Sequence, residues 1–99
     1  MNYTINDSKG NILRVKAFHP WIFLQEEIEE RELLKKTIAQ QLEILPTNLS
    51  EILKGKRNIS PTLAVRLKKV LNISAEYWLN LQMTWDLQNA RNEEYSLNI

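Results

Sequence analysis

The sequence contains no cysteine and only two glycines, three prolines and one histidine among its 99 residues. The absence of cysteine excludes a disulfide framework, a thiolate metal site and a thiol nucleophile. Few glycines and prolines, with leucine and isoleucine mostly at helical spacing, favour a single all-α domain. The histidine, His19, stands beside Pro20 at a predicted helix start, and we interpret it as structural. We expect no enzyme, because no nucleophile or acid–base set accompanies this histidine.

Long hydrophobic runs are also missing. The longest apolar cluster near the N-terminus, Trp21 to Leu24, is far shorter than the roughly twenty residues of a membrane helix. No signal peptide is recognisable, so we expect a cytoplasmic protein with no membrane partner. The acids within residues 26–30 lie on one predicted solvent face without metal-ligand partners. We therefore expect neither a metal nor another cofactor.

The stretch Lys35 to Arg57 predicts two short helices joined by a tight corner. Apolar residues at three-to-four spacing mark one face of each helix. Gly55 is expected to end the second helix, because glycine takes a positive φ without a Cβ clash. A helix, a corner, a second helix and a basic loop indicate a helix-turn-helix, whose usual position is in the major groove of DNA. The predicted core-facing residues are Ile38, Ala39, Leu42, Leu49, Ile52 and Leu53.

The net charge of +1 is distributed unevenly. Residues 26–32 hold five acids and one base, a net charge of −4, whereas residues 33–73 hold eight bases and two acids, a net charge of +6. A positive segment that coincides with a helix-turn-helix is the electrostatic pattern of a DNA-binding protein. The alternative interpretation is an ordinary solvated face.

The corner of this unit is expected to be weakly determined. Glu43 stands where glycine would adopt positive φ without strain, and Leu45 stands where Ser or Thr would cap the second helix. Each departure costs about 1 kcal/mol. Pro46 partly restores the helix start, because proline suits the first helical position.

The first eighteen residues differ from the rest. Two short β-like runs flank turn formers at Asn6, Asp7 and Gly10, which predicts a small hairpin or an extended arm. The alternative is a disordered extension. We expect an arm over residues 1–18, a helical domain over 19–92 and a flexible tail over 93–99.

Three more helices are predicted around the central unit. The first begins at Pro20 and runs to about residue 32 or 34. Ser60 caps a helix that runs to about Asn72, and Ser74 caps a last helix of about residues 75–91. The last helix is apolar on more than one side, which predicts burial on more than one side. We expect a dimer through Trp78, Leu81 and Trp85, with Trp78 and Leu81 also closing the core.

Several segments carry a family resemblance: the initial HP, EERxL before the central unit, IAxxL, LxxILKGKRxIxP and SAEYWLNLQxxWDLxxAR. With them, residues 19–91 resemble HigA/VapI-type antitoxins of the XRE (Cro-like) helix-turn-helix class. The resemblance implies a five-helix Cro/lambda-repressor-like domain that forms a homodimer and binds double-stranded operator DNA. It also implies a cognate toxin, typically a RelE-like mRNA endonuclease, and repression of the toxin–antitoxin operon.

Five positions depart from the family pattern. The family usually has Gly in place of Trp21, Ser in place of Leu34 and Gly in place of Glu43. It has Ser or Thr in place of Leu45, and a basic or polar residue in place of Glu51. Glu43, Leu45 and Glu51 motivate the alternative of a protein-interaction module that has lost DNA binding. A further alternative is a solitary helix-turn-helix regulator, which the absence of a neighbouring toxin gene would favour.

Candidate functional residues follow from these patterns. Asn48 suits an adenine edge, Thr47 a thymine methyl group and Glu51 a cytosine amino group. The flanking bases suit phosphates, which need no precise geometry. The candidate DNA contacts are Lys35, Lys36, Thr47, Asn48, Ser50, Glu51, Lys54, Lys56 and Arg57. The candidate toxin contacts, besides the N-terminal arm, are Trp21, Ile22, Glu26 and Glu30, because a ribonuclease toxin is usually basic.

Overall fold

The computed structural model of the protein describes residues 5–6, 12–13 and 19–97. Five helices follow one another: α1 (Pro20–Glu30), α2 (Lys35–Gln41), α3 (Pro46–Leu53), α4 (Pro61–Leu71) and α5 (Ala75–Leu97). The predicted five-helix, all-α architecture is confirmed. In the part of the chain that the structure describes, none of these helices is long and apolar enough to cross a membrane.

Two very short strands precede the helices. The strands β1 (Ile5–Asn6) and β2 (Ile12–Leu13) pair antiparallel, with Ile5 opposite Leu13 and Asn6 opposite Ile12. This pairing agrees with the hairpin among the alternatives for the N-terminus. The rest of the predicted arm lies outside the described residues.

The hydrophobic core lies where the five helices meet. Ala39 and Ala64 are fully buried, and such small side chains let helices approach closely. All six predicted core positions of α2, α3 and the corner are buried, which confirms the helical spacing. The buried apolar residues are Leu24, Ile28, Ile38, Ala39, Leu42, Leu49, Ile52, Leu53, Ile59, Leu63, Ala64, Leu67, Leu71 and Trp78.

The corner between α2 and α3 is closed by backbone hydrogen bonds. Glu43 adopts a left-handed φ of 58°. Its N–H donates to the carbonyl of Gln40 at 3.1 Å, and the N–H of Ile44 donates to the carbonyl of Ala39 at 3.0 Å. This pair of bonds is a Schellman cap, which satisfies carbonyls left open at the helix end. Both predicted energetic costs are present, because Glu43 is left-handed and Leu45 makes no side-chain cap hydrogen bond.

A long-range contact adds to this closure. Arg66 of α4 donates from Nη1 to the carbonyl of Leu42 at 3.3 Å, and its Nε lies 3.7 Å from a carboxylate oxygen of Glu43. Both expected costs are thus present, and α4 supplies a donor to the corner that no local sequence pattern reveals.

The same cap ends two other helices. After α1, Glu32 has φ 54° and the N–H of Leu33 donates to the carbonyl of Ile28 at 2.9 Å. After α3, Gly55 has φ 76° and the N–H of Lys56 donates to the carbonyl of Glu51 at 2.8 Å. Gly55 thus ends α3 as predicted. The left-handed residue Glu32 also explains why α1 stops at residue 30, short of the predicted 32 or 34.

The last helix is longer than predicted. α5 continues to Leu97 and not to about Arg91, so most of the predicted flexible tail is helical. No glycine or proline follows Arg91 to stop the helix. Gln88 also donates to the side-chain oxygen of Asn92 at 3.4 Å, one turn further along. Residues 98–99 of the predicted tail lie outside the described residues.

The left-handed Glu43 leads to the first prediction. Replacing Glu43 with glycine should raise the free energy of unfolding by about 1 kcal/mol, because glycine adopts positive φ without a Cβ penalty. Its ion pair with Arg66 is lost, but the Glu43 side chain is 74% exposed, and exposed pairs contribute little. Thermal denaturation should show a midpoint about 4–8 °C higher.

The matched control is Glu26→Gly, the same change at an exposed position inside α1. It should lower the free energy of unfolding by about 1 kcal/mol, because glycine is a poor helix former. A Glu43→Gly midpoint equal to or below that of the parent protein would contradict this account of the corner.

Candidate nucleic-acid interface

The second helix of the predicted helix-turn-helix, α3, has one buried face and one outward face. Leu49, Ile52 and Leu53 are buried in the core. The opposite side forms a shallow concavity on the protein surface. The residues that line this outward face are Pro46, Thr47, Ser50, Glu51 and Lys54.

Four lysines belong to the helix-turn-helix segment that contains α3. Lys35 and Lys36 begin α2, while Lys54 and Lys56 follow α3. All four are exposed, and none makes a side-chain hydrogen bond or ion pair with another described residue. Their charges are therefore free to contact phosphates, which is how basic residues position a protein on DNA.

The acid on α3 is paired within the chain. Glu51 accepts a hydrogen bond from Nε of Arg57 at 2.9 Å. The two side chains meet because Gly55 reverses the chain direction between them. Both side chains are about half exposed, at 42% and 54%, and such pairs contribute roughly 0–1 kcal/mol. Arg57 thus offsets the negative charge of Glu51 on the outward side of α3, and the pair can open at small cost.

Asn48 lies apart from the other predicted base contacts. It is half-buried and lines a second concavity, between α3 and α4, together with Arg57 and Arg66. Thr47 and Ser50 lie on the outward face. The structure thus brings Thr47, Ser50, Glu51 and Lys54 together and places Asn48 at their edge.

A buried glutamine fixes the loop after α3. Gln82 of α5 is 6% exposed, and its Oε1 accepts a hydrogen bond from the N–H of Ile59 at 2.9 Å. Its Nε2 donates to Asp86 at 3.0 Å. Sequence analysis missed Gln82. The available indication was its position one turn after Trp78, where a polar residue on the core side of α5 needs a partner.

His19 is also structural, as predicted. Its Nδ1 accepts a hydrogen bond from the N–H of Trp21 at 3.1 Å, which caps the start of α1. The ring is 1% exposed and meets the ring of Trp85 edge to face at 5.2 Å. Burial lowers the pKa of His19, while the neighbouring Asn58 side chain and the charge of Asp86 partly oppose this shift. Across the described residues, no group of His, Asp and Glu is arranged to hold a metal ion.

The predicted toxin contacts divide into two kinds. Glu26 and Glu30 are exposed, whereas Trp21 and Ile22 are half-buried. The Trp21 ring covers Gly55, where an added Cβ would lie 2.8 Å from the indole Nε1. Trp21 therefore helps attach α1 to the end of α3, and only part of its surface is open to a partner.

The predicted dimer contacts require one correction. Trp78 is 0% exposed within the single chain, so its predicted contact with a second chain is wrong and its core role is confirmed. Leu81 and Trp85 are half-buried. The exposed apolar residues of α5 that sequence analysis did not select are Tyr77, Met83 and Leu87, at 43%, 52% and 43%. Met83 and Leu87 are four residues apart and share one side of the helix.

The architecture matches a known family. The helix-turn-helix family model HTH_3 covers residues 24–78, from α1 to the start of α5. The chain belongs to this XRE-type helix-turn-helix family. Virulence-associated protein I of Dichelobacter nodosus is 33% identical over 84 residues, which are 84% of this chain and 78% of that protein.

Solved antitoxin structures share the fold. A HigA-family addiction module antidote protein from Coxiella burnetii superposes with a TM-score of 0.76 at 30% identity, over 82% of this chain and 89% of that one. The Pseudomonas aeruginosa antitoxin HigA, solved with the higBA promoter, gives a TM-score of 0.77 at 26% identity, over 83% and 90%. The chain therefore has the DNA-binding fold of HigA-type antitoxins.

The buried histidine predicts a pH dependence of stability. His19 has a lowered pKa when folded, so unfolded chains bind more protons as the pH falls below the ordinary value of about 6.5. The stabilisation is present above this pH and is lost as the pH falls toward the folded pKa. Protonation of Nδ1 also removes the acceptor that caps α1. Urea denaturation at about pH 7.5 and about pH 5.5 should show lower stability at the acidic pH.

The control variant is His19→Asn, which keeps a capping acceptor and does not titrate. Its loss of stability between the two pH values should be smaller than that of the parent protein. Equal losses in both proteins would assign the pH dependence to groups other than His19.

Proposed function

We propose that the protein is the antitoxin of a type II toxin–antitoxin system. As a dimer it binds operator DNA and represses its own operon, and it neutralises a RelE-like mRNA endonuclease. The observation that carries this proposal is the shared fold with an antitoxin solved on its promoter DNA, over most of both chains. The free lysines around α3 support it independently, because they supply the charge that such binding needs.

In the proposed complex, α3 lies in the major groove. Thr47 and Ser50 face the base edges, and the four free lysines contact phosphates on either side. Glu51 accepts from a cytosine amino group when its pair with Arg57 opens, and Arg57 is then released toward a phosphate. A dimer places two α3 helices about 34 Å apart on a palindrome.

The dimer is proposed to form through α5. Met83 and Leu87 leave an exposed apolar strip on one side of the helix, and Leu81 and Trp85 are partly exposed on another side. Exposed apolar side chains at helical spacing are suited to pairing with a second copy of the same helix.

The proposed toxin contact is the acidic side of α1. Glu27 is already paired with Arg31 at 3.0 Å. Glu26 and Glu30, in contrast, make no side-chain hydrogen bond or ion pair with another described residue. Their unpaired negative charges suit a basic ribonuclease.

DNA binding is tested by removing two of the free lysines. The variant Lys54→Ala with Lys56→Ala should weaken binding to the DNA upstream of its own operon and to unrelated DNA alike. The slope of log affinity against log salt should fall by about 1.8, because each phosphate contact contributes about 0.9. Gel shifts and fluorescence anisotropy at several salt concentrations give both quantities.

The control for this experiment is Lys68→Ala with Arg91→Ala, which removes the same charge from α4 and α5. Its affinity and salt slope should stay close to those of the parent protein. If the parent protein fails to shift the upstream DNA, DNA binding is refuted and the interaction-module alternative gains support. An unchanged slope in the Lys54 and Lys56 variant would refute the phosphate contacts alone.

Toxin capture is tested with the product of a short neighbouring gene, co-expressed with the antitoxin. Glu26→Lys with Glu30→Lys should reduce co-purification at least tenfold, because it replaces attraction by repulsion across a charged interface. The control is Glu93→Lys with Glu94→Lys on α5, which changes the net charge by the same amount away from α1. Equal capture by both variants would exclude the α1 surface, and the absence of any such gene would favour the solitary regulator.

A further inference from the structure

The residue that begins α3 is exposed and apolar. Leu45 occupies the N-cap position with an extended backbone, φ −69° and ψ 145°, and makes no side-chain cap hydrogen bond. Its side chain is 64% exposed to solvent. A leucine here gives up a capping hydrogen bond and places apolar surface in water, so neither helix stability nor core packing accounts for it.

The neighbouring residues extend this apolar surface. Pro46 follows at the first helical position and is exposed, and proline has no backbone N–H. Thr47 comes next, also exposed, with a methyl group beside its hydroxyl. The leading end of α3 therefore presents mainly methyl and methylene groups, whereas hydrogen-bonding and charged side chains follow later along the helix.

In the major groove, one base, thymine, presents an apolar group that can pack against such a surface. The N-terminal residues of a recognition helix are those that reach base edges. Among the groups on the major-groove edges, the 5-methyl group of thymine is apolar, while the others are hydrogen-bond donors and acceptors. Leucine placed against a donor or acceptor would remove its water without replacing the hydrogen bond, which is unfavourable. Leucine placed against a methyl group buries apolar surface on both sides.

We propose that Leu45 is a specificity-determining residue that reads thymine through its 5-methyl group. This inference rests on the proposed operator binding and names the base feature that α3 recognises. In this arrangement the free lysines of the helix-turn-helix contact phosphates and supply affinity without sequence preference, so discrimination falls to the uncharged leading end of α3.

The experiment compares thymine with uracil, which differ only in the 5-methyl group and form the same base pair with adenine. Footprinting first locates the bound site upstream of the operon. Fluorescence anisotropy then measures the full-length protein on duplexes carrying thymine or uracil within each half-site. We expect about fourfold weaker binding for each contacted methyl group that is removed, from the burial of one methyl-sized group.

The matched variants are Leu45→Ser and Leu34→Ser. Both replace an exposed leucine at an N-cap by a capping residue, since Leu34 occupies the same position on α2 and is 72% exposed. Leu45→Ser should bring the ratio of thymine to uracil affinity close to one, while Leu34→Ser should leave the ratio as in the parent protein. Circular dichroism shows whether each variant remains folded.

The outcomes separate this inference from the proposed function. A site that is bound with equal affinity in thymine and uracil forms overturns the role of Leu45 and leaves operator binding standing. A thymine preference that survives in Leu45→Ser overturns it as well, and assigns the preference to another residue such as Thr47. Failure to bind any upstream DNA overturns both the inference and the proposed function.

Discussion

The structure depends on holding one short helix against the core. α3 has eight residues, and a helix of this length is not stable by itself in water. Leu49, Ile52 and Leu53 bury one side of it, and this burial decides which side faces outward. α3 itself packs against α1 and α2. Later helices hold the chain on either side of it, because Arg66 donates to the corner before α3 and Gln82 accepts from the loop after it.

The sequence was sufficient to predict features that depend on local periodicity. The helix-turn-helix of residues 35–57 was predicted with its core residues, because apolar spacing reports directly which side of a short helix is buried. Gly55 was predicted to end α3 for an equally local reason. The starts of α4 and α5 followed from Ser60 and Ser74, which accept hydrogen bonds from the N–H groups of Leu63 and Tyr77.

Features that depend on distant residues were not predictable in the same way. The closure of the corner by Arg66 joins residues 24 positions apart, and the bond from Ile59 to Gln82 joins residues 23 apart. α5 is apolar on more than one side, so periodicity alone did not separate the buried Trp78 from the exposed Met83 and Leu87. The ion pair of Glu51 with Arg57 required the reversal at Gly55, which sequence spacing does not specify. The internal pairing of the candidate site therefore came from the structure and not from sequence spacing.

The unfavourable local features of the chain are concentrated around α2 and α3. Leu34 and Leu45 leave both helices without a side-chain cap, and Glu43 between them is left-handed. Each feature costs about 1 kcal/mol. By contrast, α4 begins with a serine cap, in which the N–H of Leu63 donates to Oγ of Ser60 at 3.2 Å. Two lysines at its C-terminal end interact favourably with the helix dipole.

This distribution has a consequence for the proposed function. The costs fall on the two helices that would contact DNA, and the well-capped helix lies behind them. A ligand that binds only the folded state stabilises it by mass action, so operator binding would offset local costs that α2 and α3 carry when free. An apolar N-cap such as Leu45 is unfavourable in water but favourable against a thymine methyl group. The proposed base preference therefore accounts for a leucine at a position where a capping residue would stabilise the helix. On this view, local instability at α3 is the counterpart of its specificity, because the residue that would best cap the helix could not read a methyl group.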